Sequence, residues 1–401
     1  MKKFIVPIIS VIVVTSIILS GCAQTAPAPA PTPAPTPAPS PAPTPSPTPQ
    51  IPAEPTNAKW PQPNPYWGLG FKPDGTPYQF AVEALGLGFS YWVVVAVGCQ
   101  GYLQRSGADC ELHDPNNTLD IQISQMEDSI AKNVDAIVLF ATDSAGMAPV
   151  TDQAGAAGIP VFCFDIEVYS DAVVHRTTYN NADKGALGAQ ALIDAAERMN
   201  VDLNLYQVVS LVNIQSCNSR QQGFEAAIAG NPLVASVIKS PVSDTPDDAM
   251  NAIADTLPAH PELNAIYLNC GDADSAKMAL TNLGRLLPLD DPDHVIVVVQ
   301  DGFPSALAGI REDWVDGCPI NSPWAIGDIV SKAVLTNVCQ GKTVPALVEI
   351  PLELITKENV DTSPYGGPMR WGDMIIANED PLTWPILDTE WCSGIATPSY
   401  K

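Results

Sequence analysis

Between Gln79 and Asp301 the chain repeats one rhythm: a short, mostly apolar run, then a longer stretch in which apolar residues return every three or four positions. The runs QFAVEALGL, ADCELHD, DAIVLFAT, PVFCFD, LYQVVSLVNI, LVASVIK, NAIYLNC and HVIVVVQDG read as strands. The segment NTLDIQISQMEDSIAKN reads as a helix, with Leu119, Ile123, Met126 and Ile130 on one face. Strands alternating with helices, several of them apolar throughout, predict an α/β fold of doubly wound parallel sheets covered on both faces. Ligands of such sheets bind beyond the carboxyl ends of the strands. Asp143, Asp165, Asn213, Cys217, Asn269 and Asp301 all stand at such ends.

Before this rhythm starts, the pattern is different. Lys2 and Lys3 precede an apolar run from Phe4 to Leu19, interrupted by Pro7 and short for a spanning helix, which reads as a secretory signal. It ends in Leu19-Ser20-Gly21-Cys22, similar to a bacterial lipobox, so residues 1–21 are expected to be removed and Cys22 lipidated. From Ala26 to about Pro65 proline recurs so densely that the backbone lacks donors and favours extended polyproline II. Residues 22–66 are therefore expected to be an anchored stalk, reaching on the order of 100 Å at ~3.1 Å per residue.

The formal net charge of −25, with its basic residues scattered, disfavours nucleic acid and anionic lipid headgroups as partners. Of nine cysteines, eight remain once Cys22 is set aside, an even number that permits disulfides in an exported protein. No CxxC pair, nucleophile elbow, P-loop or HExxH motif is present, and His113, His175, His260 and His294 are not spaced as ligands, so no metal or cofactor is expected. The acidic stretches LDDPDH and GDADS lack the ligand ladder of a calcium loop and read as surface turns.

In order along the chain, GFSYW, ATDSAGMAPVTDQAGAAGIPVFCFD, NSRQQGFEAAI and VVVQDGFPSALAGI resemble the type I periplasmic sugar-binding proteins, the receptors of bacterial importers for ribose, xylose and galactose. The resemblance runs from about Gln79 to Asp361 and implies two hinged lobes, each with its own parallel sheet. It places the first lobe at residues 76–180 and 323–347, the second at 181–322 and 348–361, and leaves 362–401 as an extension. It further implies a small sugar held between the lobes: Tyr91 and Trp92 packing on the ring, Asp165 accepting from hydroxyls, Arg220 donating, and Asn269, Asp301 and Asn321 completing the polar set. Aromatic faces suit the C–H side of a sugar, and a guanidinium fork suits adjacent hydroxyls.

The chain also departs from that pattern. Ile166 stands where ribose-type members carry a second arginine, Phe89 where they carry an asparagine, and SPVSDTPDD offers no second stacking aromatic, with Asp244 near its place. These departures predict a more acidic pocket and a different sugar, a polyol or an amine-bearing solute. Cys217 with Cys270, beside the cleft, and Cys99 with Cys110 are expected disulfide pairs, and Cys392 in the tryptophan-rich tail is expected to bond Cys318 or Cys339. The functional expectation is a monomeric, lipid-anchored receptor that delivers solute to an ABC permease. A sensor for an autoinducer or other small polar solute is the alternative, and an enzyme is not expected because no carboxylate pair is set up for acid–base work.

Overall fold

The computed structural model describes residues 51–55, 64, 66–88, 90–210, 214–243, 245–270 and 273–363. Cys22, the signal, the first half of the stalk, Phe89, Asn213, Asp244 and the tail with Cys392 lie outside the described residues.

The first lobe is laid down as β1 (Gln79–Glu83), α1 (Ser90–Arg105), β2 (Asp109–His113), α2 (Leu119–Ala131), β3 (Ala136–Leu139), α3 (Ala148–Ala156), β4 (Val161–Phe164) and β5 (Val173–Thr178). The second follows as α4 (Asn181–Met199), β6 (Leu203–Val208), α5 (Gln215–Ile228), β7 (Val234–Lys239), α6 (Pro246–Ala259), β8 (Ala265–Leu268), α7 (Ala273–Asn282), β9 (Ile296–Val298), α8 (Pro304–Arg311) and β10 (Cys318–Asn321). The chain then returns through α9 (Pro323–Val334), a π-helical turn at Leu335–Cys339 and β11 (Leu347–Glu349), and ends in β12 (Leu352–Ile355).

Six parallel strands in the order β11-β5-β4-β3-β1-β2 form one sheet, and four in the order β7-β6-β8-β9 form the other. β10 and β12 pair antiparallel, and a single bridge between Val298 and Gly317 joins them to β9. The strand order follows burial. β3 and β4, apolar and buried at every position, lie inside the first sheet, while β7 alternates between half-buried and exposed residues and forms an edge of the second. Side-chain alternation splits the second lobe's core in two: Ile266 and Leu268 face one apolar cluster, Ala265 and Tyr267 the other. On α2, Met126 is buried with Leu119, Ile123 and Ile130 packed beside it, as the helical periodicity predicts.

Several expectations are corrected. β5, β10, β11 and β12 were not legible as strands: VVHRTT and LELI mix polar with apolar residues, and CPIN and LVE are very short. The second lobe does not resume at 348, because Val348 and Glu349 pair with Thr177 and Thr178 in the first sheet. Nor does the stalk run free to residue 66. Asn64 donates to the Arg105 carbonyl at 2.9 Å, and the Tyr66 ring lies 5.2 Å from the fully buried Arg105 guanidinium. Cys99 and Cys110 are free thiols, since Cys99 faces α9, where Ser331 Oγ donates to its sulfur at 3.4 Å.

One close contact positions the cleft. A Cβ on Gly185 would fall 1.9 Å from the Arg220 carbonyl oxygen, and one on Gly223 2.0 Å from that of Ala182, so α4 and α5 touch backbone to backbone. We predict that Gly185→Ala pushes the two helices apart, costs about 3 kcal/mol of stability in chemical denaturation, and also weakens ligand binding because Arg220 moves with α5.

Candidate functional site

The cleft between the lobes holds a cavity of about 170 Å³. Its walls include Tyr91, Trp92, Phe140, Asp165 and Ile166 from the first lobe, with Arg220, Cys217, Cys270, Asp301 and Phe303 from the second. Each comes from an element end. Asp165 follows β4 and Asp301 closes the turn after β9; both have left-handed backbones, at φ 58° and 75°, a region aspartate tolerates better than bulkier residues. The surroundings hold that conformation. Asp165 N–H donates to Thr177 O at 2.8 Å, its carbonyl accepts from Thr178 Oγ1 at 2.9 Å, and Asp301 N–H donates to Pro319 O at 3.1 Å.

Arg220 reaches from the second turn of α5 into a full set of acceptors. Its Nη1 donates to Asp301 Oδ2 at 3.0 Å, to Asn269 O at 3.0 Å and to Cys270 Sγ at 3.4 Å, and its Nη2 donates to Tyr179 Oη and Asn181 Oδ1, both at 3.2 Å. The buried Nε has no protein partner. Burial opposes ionisation of Asp301, but Arg220 and Lys184 outweigh it and hold the carboxyl below its usual range. Lys184, fully buried, donates to Asp301 Oδ1 and, at 2.6 Å, to Asn321 Oδ1, with its ammonium 4.7 Å from the Tyr179 ring.

From Asn321 the network crosses between lobes. Asn321 Nδ2 donates to Tyr91 Oη at 2.8 Å, and the Tyr91 hydroxyl bonds the Asp165 carboxylate. Asp165 still has no cation against its carboxylate, so burial raises its pKa despite Tyr91 and the more distant Lys184 and Arg220.

Five of the seven residues the resemblance singled out, Tyr91, Trp92, Asp165, Arg220 and Asp301, line the cavity. Asn269 and Asn321 stand behind the wall, Asn269 donating to Cys217 O at 3.0 Å. Asp143 is spent on its own turn, accepting from Ala145 N–H at 2.9 Å and from Gly146 N–H. Cys217 and Cys270 do meet beside the cleft, as thiols hydrogen-bonded to each other rather than as a disulfide. Burial works against a Cys270 thiolate, yet the Cys217 hydrogen bond and Arg220 lower its pKa.

The sequence reading missed Lys184, Tyr179 and Phe303. The pocket is not more acidic for want of the arginine at 166, because Lys184 enters from the opposite lobe, giving two cations for two carboxylates. Its signal was available: in NNADKGALG a lysine occupies the first turn of a helix, where the dipole disfavours a cation. The aromatic absent from SPVSDTPDD has a counterpart in Phe303, two residues after Asp301, which also packs against the first lobe's core.

Doubly wound sheets in two lobes, with a cleft at the strand ends lined by polar and aromatic side chains, define a type I periplasmic binding protein fold. Residues 81–343 match the periplasmic binding protein domain, and the chain belongs to that family of binding proteins rather than to an enzyme family. The ribose import binding protein RbsB of Bacillus subtilis is 24% identical over 269 residues, which cover 67% of this chain and 84% of that protein. A xylitol-binding protein of Mycolicibacterium smegmatis is 21% identical over 268 residues, covering 66% and 74%. Among solved structures, an ABC transporter solute-binding protein from Burkholderia graminis in complex with D-arabinose superposes with a TM-score of 0.64 at 19% identity, over 71% of this chain and 97% of that one.

Asp165 gives a signed prediction. With its folded pKa above the ordinary 3.8, the folded chain holds this proton more tightly than the unfolded chain, so its contribution to stability falls as pH rises from about 3.8 through the folded value. Asp165→Asn is therefore expected to raise the neutral-pH Tm of the ligand-free protein, by ~2 °C. The same change should weaken ligand binding about 10- to 100-fold, the worth of a hydrogen bond to a charged acceptor.

Proposed function

We propose that this protein is an extracytoplasmic receptor that closes its two lobes on one neutral, monosaccharide-like solute and hands it to an ABC permease, held at the membrane by a lipid on Cys22. The observation that carries the reading is the balanced polar set around a single small cavity, Asp165 and Asp301 against Lys184 and Arg220, with Trp92 and Phe303 contributed by opposite lobes. Carboxylates and a guanidinium suit clustered hydroxyls, and aromatic and aliphatic walls suit the C–H face of a sugar. The three passages of the chain between lobes, after β5, after β10 and after β11, supply a hinge for closure. Relatives that import ribose or bind xylitol support a polyhydroxylated solute. The lipobox-like Leu19-Ser20-Gly21-Cys22 supports the anchor, and the proline stalk would keep the receptor concentrated near its permease.

A thermal-shift screen of the detergent-solubilised full chain against pentoses, hexoses, polyols and amines tests the ligand. A micromolar ligand at millimolar concentration should stabilise by about 4 kcal/mol, and Arg220→Ala should abolish the shift. Response to no sugar or polyol would overturn the reading and move it toward a sensor of another solute. For the anchor, Cys22→Ser is expected to shift the protein from the membrane to the soluble fraction; unchanged membrane association would overturn the lipid.

A further inference from the structure

We propose that Lys184 sets the charge class of the ligand: it keeps the cleft electrically neutral, so that uncharged polyols are admitted and amine- or carboxylate-bearing analogues are refused. This rests on the sugar-binding reading above.

Lys184 is fully buried, does not line the cavity, and is packed behind Asp301 and Asn321. It acts through them as a positioning residue. Asp165 and Asp301 place two carboxylates at the cavity, and Lys184 and Arg220, both paired with Asp301, set two cations against them. The neighbouring Arg176 and Glu167, paired at 3.2 Å, cancel each other. In a site this buried, an ammonium or carboxylate on the ligand would leave the balance of these four groups with one excess charge, and an uncompensated buried charge is strongly unfavourable. Without Lys184 the sum becomes one excess carboxylate, which an amine on the ligand would neutralise.

The lysine also fixes the sense of the hydrogen bonds across the lobes. An ammonium can only donate, so the Asn321 oxygen must face Lys184 and the Asn321 amide must face Tyr91. The Tyr91 proton is then left for Asp165, and the remaining lone pairs of both carboxylates face ligand as acceptors. That array suits hydroxyl donors. It is a property of this lysine together with Asn321, since neither the cavity wall nor Arg220 imposes the orientation.

Titration calorimetry of the detergent-solubilised full chain with matched probes tests this: glucose, glucosamine and glucuronate; galactose, galactosamine and galacturonate; xylose and xylosamine. The wild type is expected to bind a neutral member at least ~30-fold more tightly than its amine, and Lys184→Met to shrink that ratio by tenfold or more, a change of about 1.4 kcal/mol or more in relative affinity. Lys184→Arg should keep the neutral preference. Lys184→Met/Asp301→Asn, in which charge balance returns, should recover it even if Lys184→Met folds poorly, an outcome that a merely structural lysine does not produce. An unchanged ratio in Lys184→Met, or a double variant that still favours the amine, overturns the role of Lys184 while leaving the receptor reading intact. Tightest binding of an amine or acid by the wild type overturns it too, and binding of none of these probes overturns both readings together.

Discussion

Asp301 lies between two cations, Lys184 and Arg220, and most of the cleft is organised around that arrangement. Burying three charges together carries a large desolvation penalty, which attraction offsets only when the geometry is good and the remaining donors find acceptors. Here most do: Arg220 places its Nη donors on Asp301, Asn269, Cys270, Tyr179 and Asn181, and Lys184 reaches Asn321 as well, with the Arg220 Nε left without a protein partner. Such a cluster contributes less to net stability than to uniqueness. Any displacement of α4, α5 or the turn after β9 would leave a buried charge unpaired, so these three elements have one mutual arrangement.

Backbone packing makes that arrangement reachable. The glycine contact between α4 and α5 brings Arg220 within reach of Asn181 on the neighbouring helix, and the left-handed turn at Asp301 and Gly302 brings the carboxylate back toward both helices. From there the hydrogen-bond order through Asn321 and Tyr91 reaches Asp165 in the other lobe. Because donor and acceptor roles are fixed along it, the charge state on one side of the cleft constrains hydrogen bonding on the other. Asp165, the one carboxylate without a cation against it, is left as the acceptor a ligand would meet, and its ionisation costs stability in the folded chain. A site of this kind trades stability for binding at the residue nearest the ligand.

The order of strands and helices was written in the periodicity of the chain. Runs such as AIVL and VFCF are apolar at consecutive positions because both faces of a parallel sheet are covered, and no surface strand would be written that way. Asp165 and Asp301 were equally legible as polar residues at strand ends, the places where the chain meets ligand in such folds, whereas Arg220 was legible through the resemblance that NSRQQGFEAAI carries. Less legible were β5, β10 and β12, whose partners lie far off in sequence or whose residues fit a strand only once a neighbour docks beside them.

By itself, then, the sequence determined the class of fold and the carboxylates at the strand ends, since local periodicity expresses them directly, while the two lobes and the guanidinium of the cleft were legible through the resemblance that motifs such as NSRQQGFEAAI carry. Tertiary structure alone decided the balance of the site. Lys184 lies 117 residues from Asp301 and 137 from Asn321, and Asn321 lies 230 from Tyr91. A charge is compensated by whatever stands a few ångströms away, and distance along the chain does not report which residue that will be. For the same reason Ile166, which along the chain signalled a missing donor, stands in a cleft whose second cation comes from the other lobe, and two cysteines expected to form a disulfide instead stand as hydrogen-bonded thiols beside Arg220.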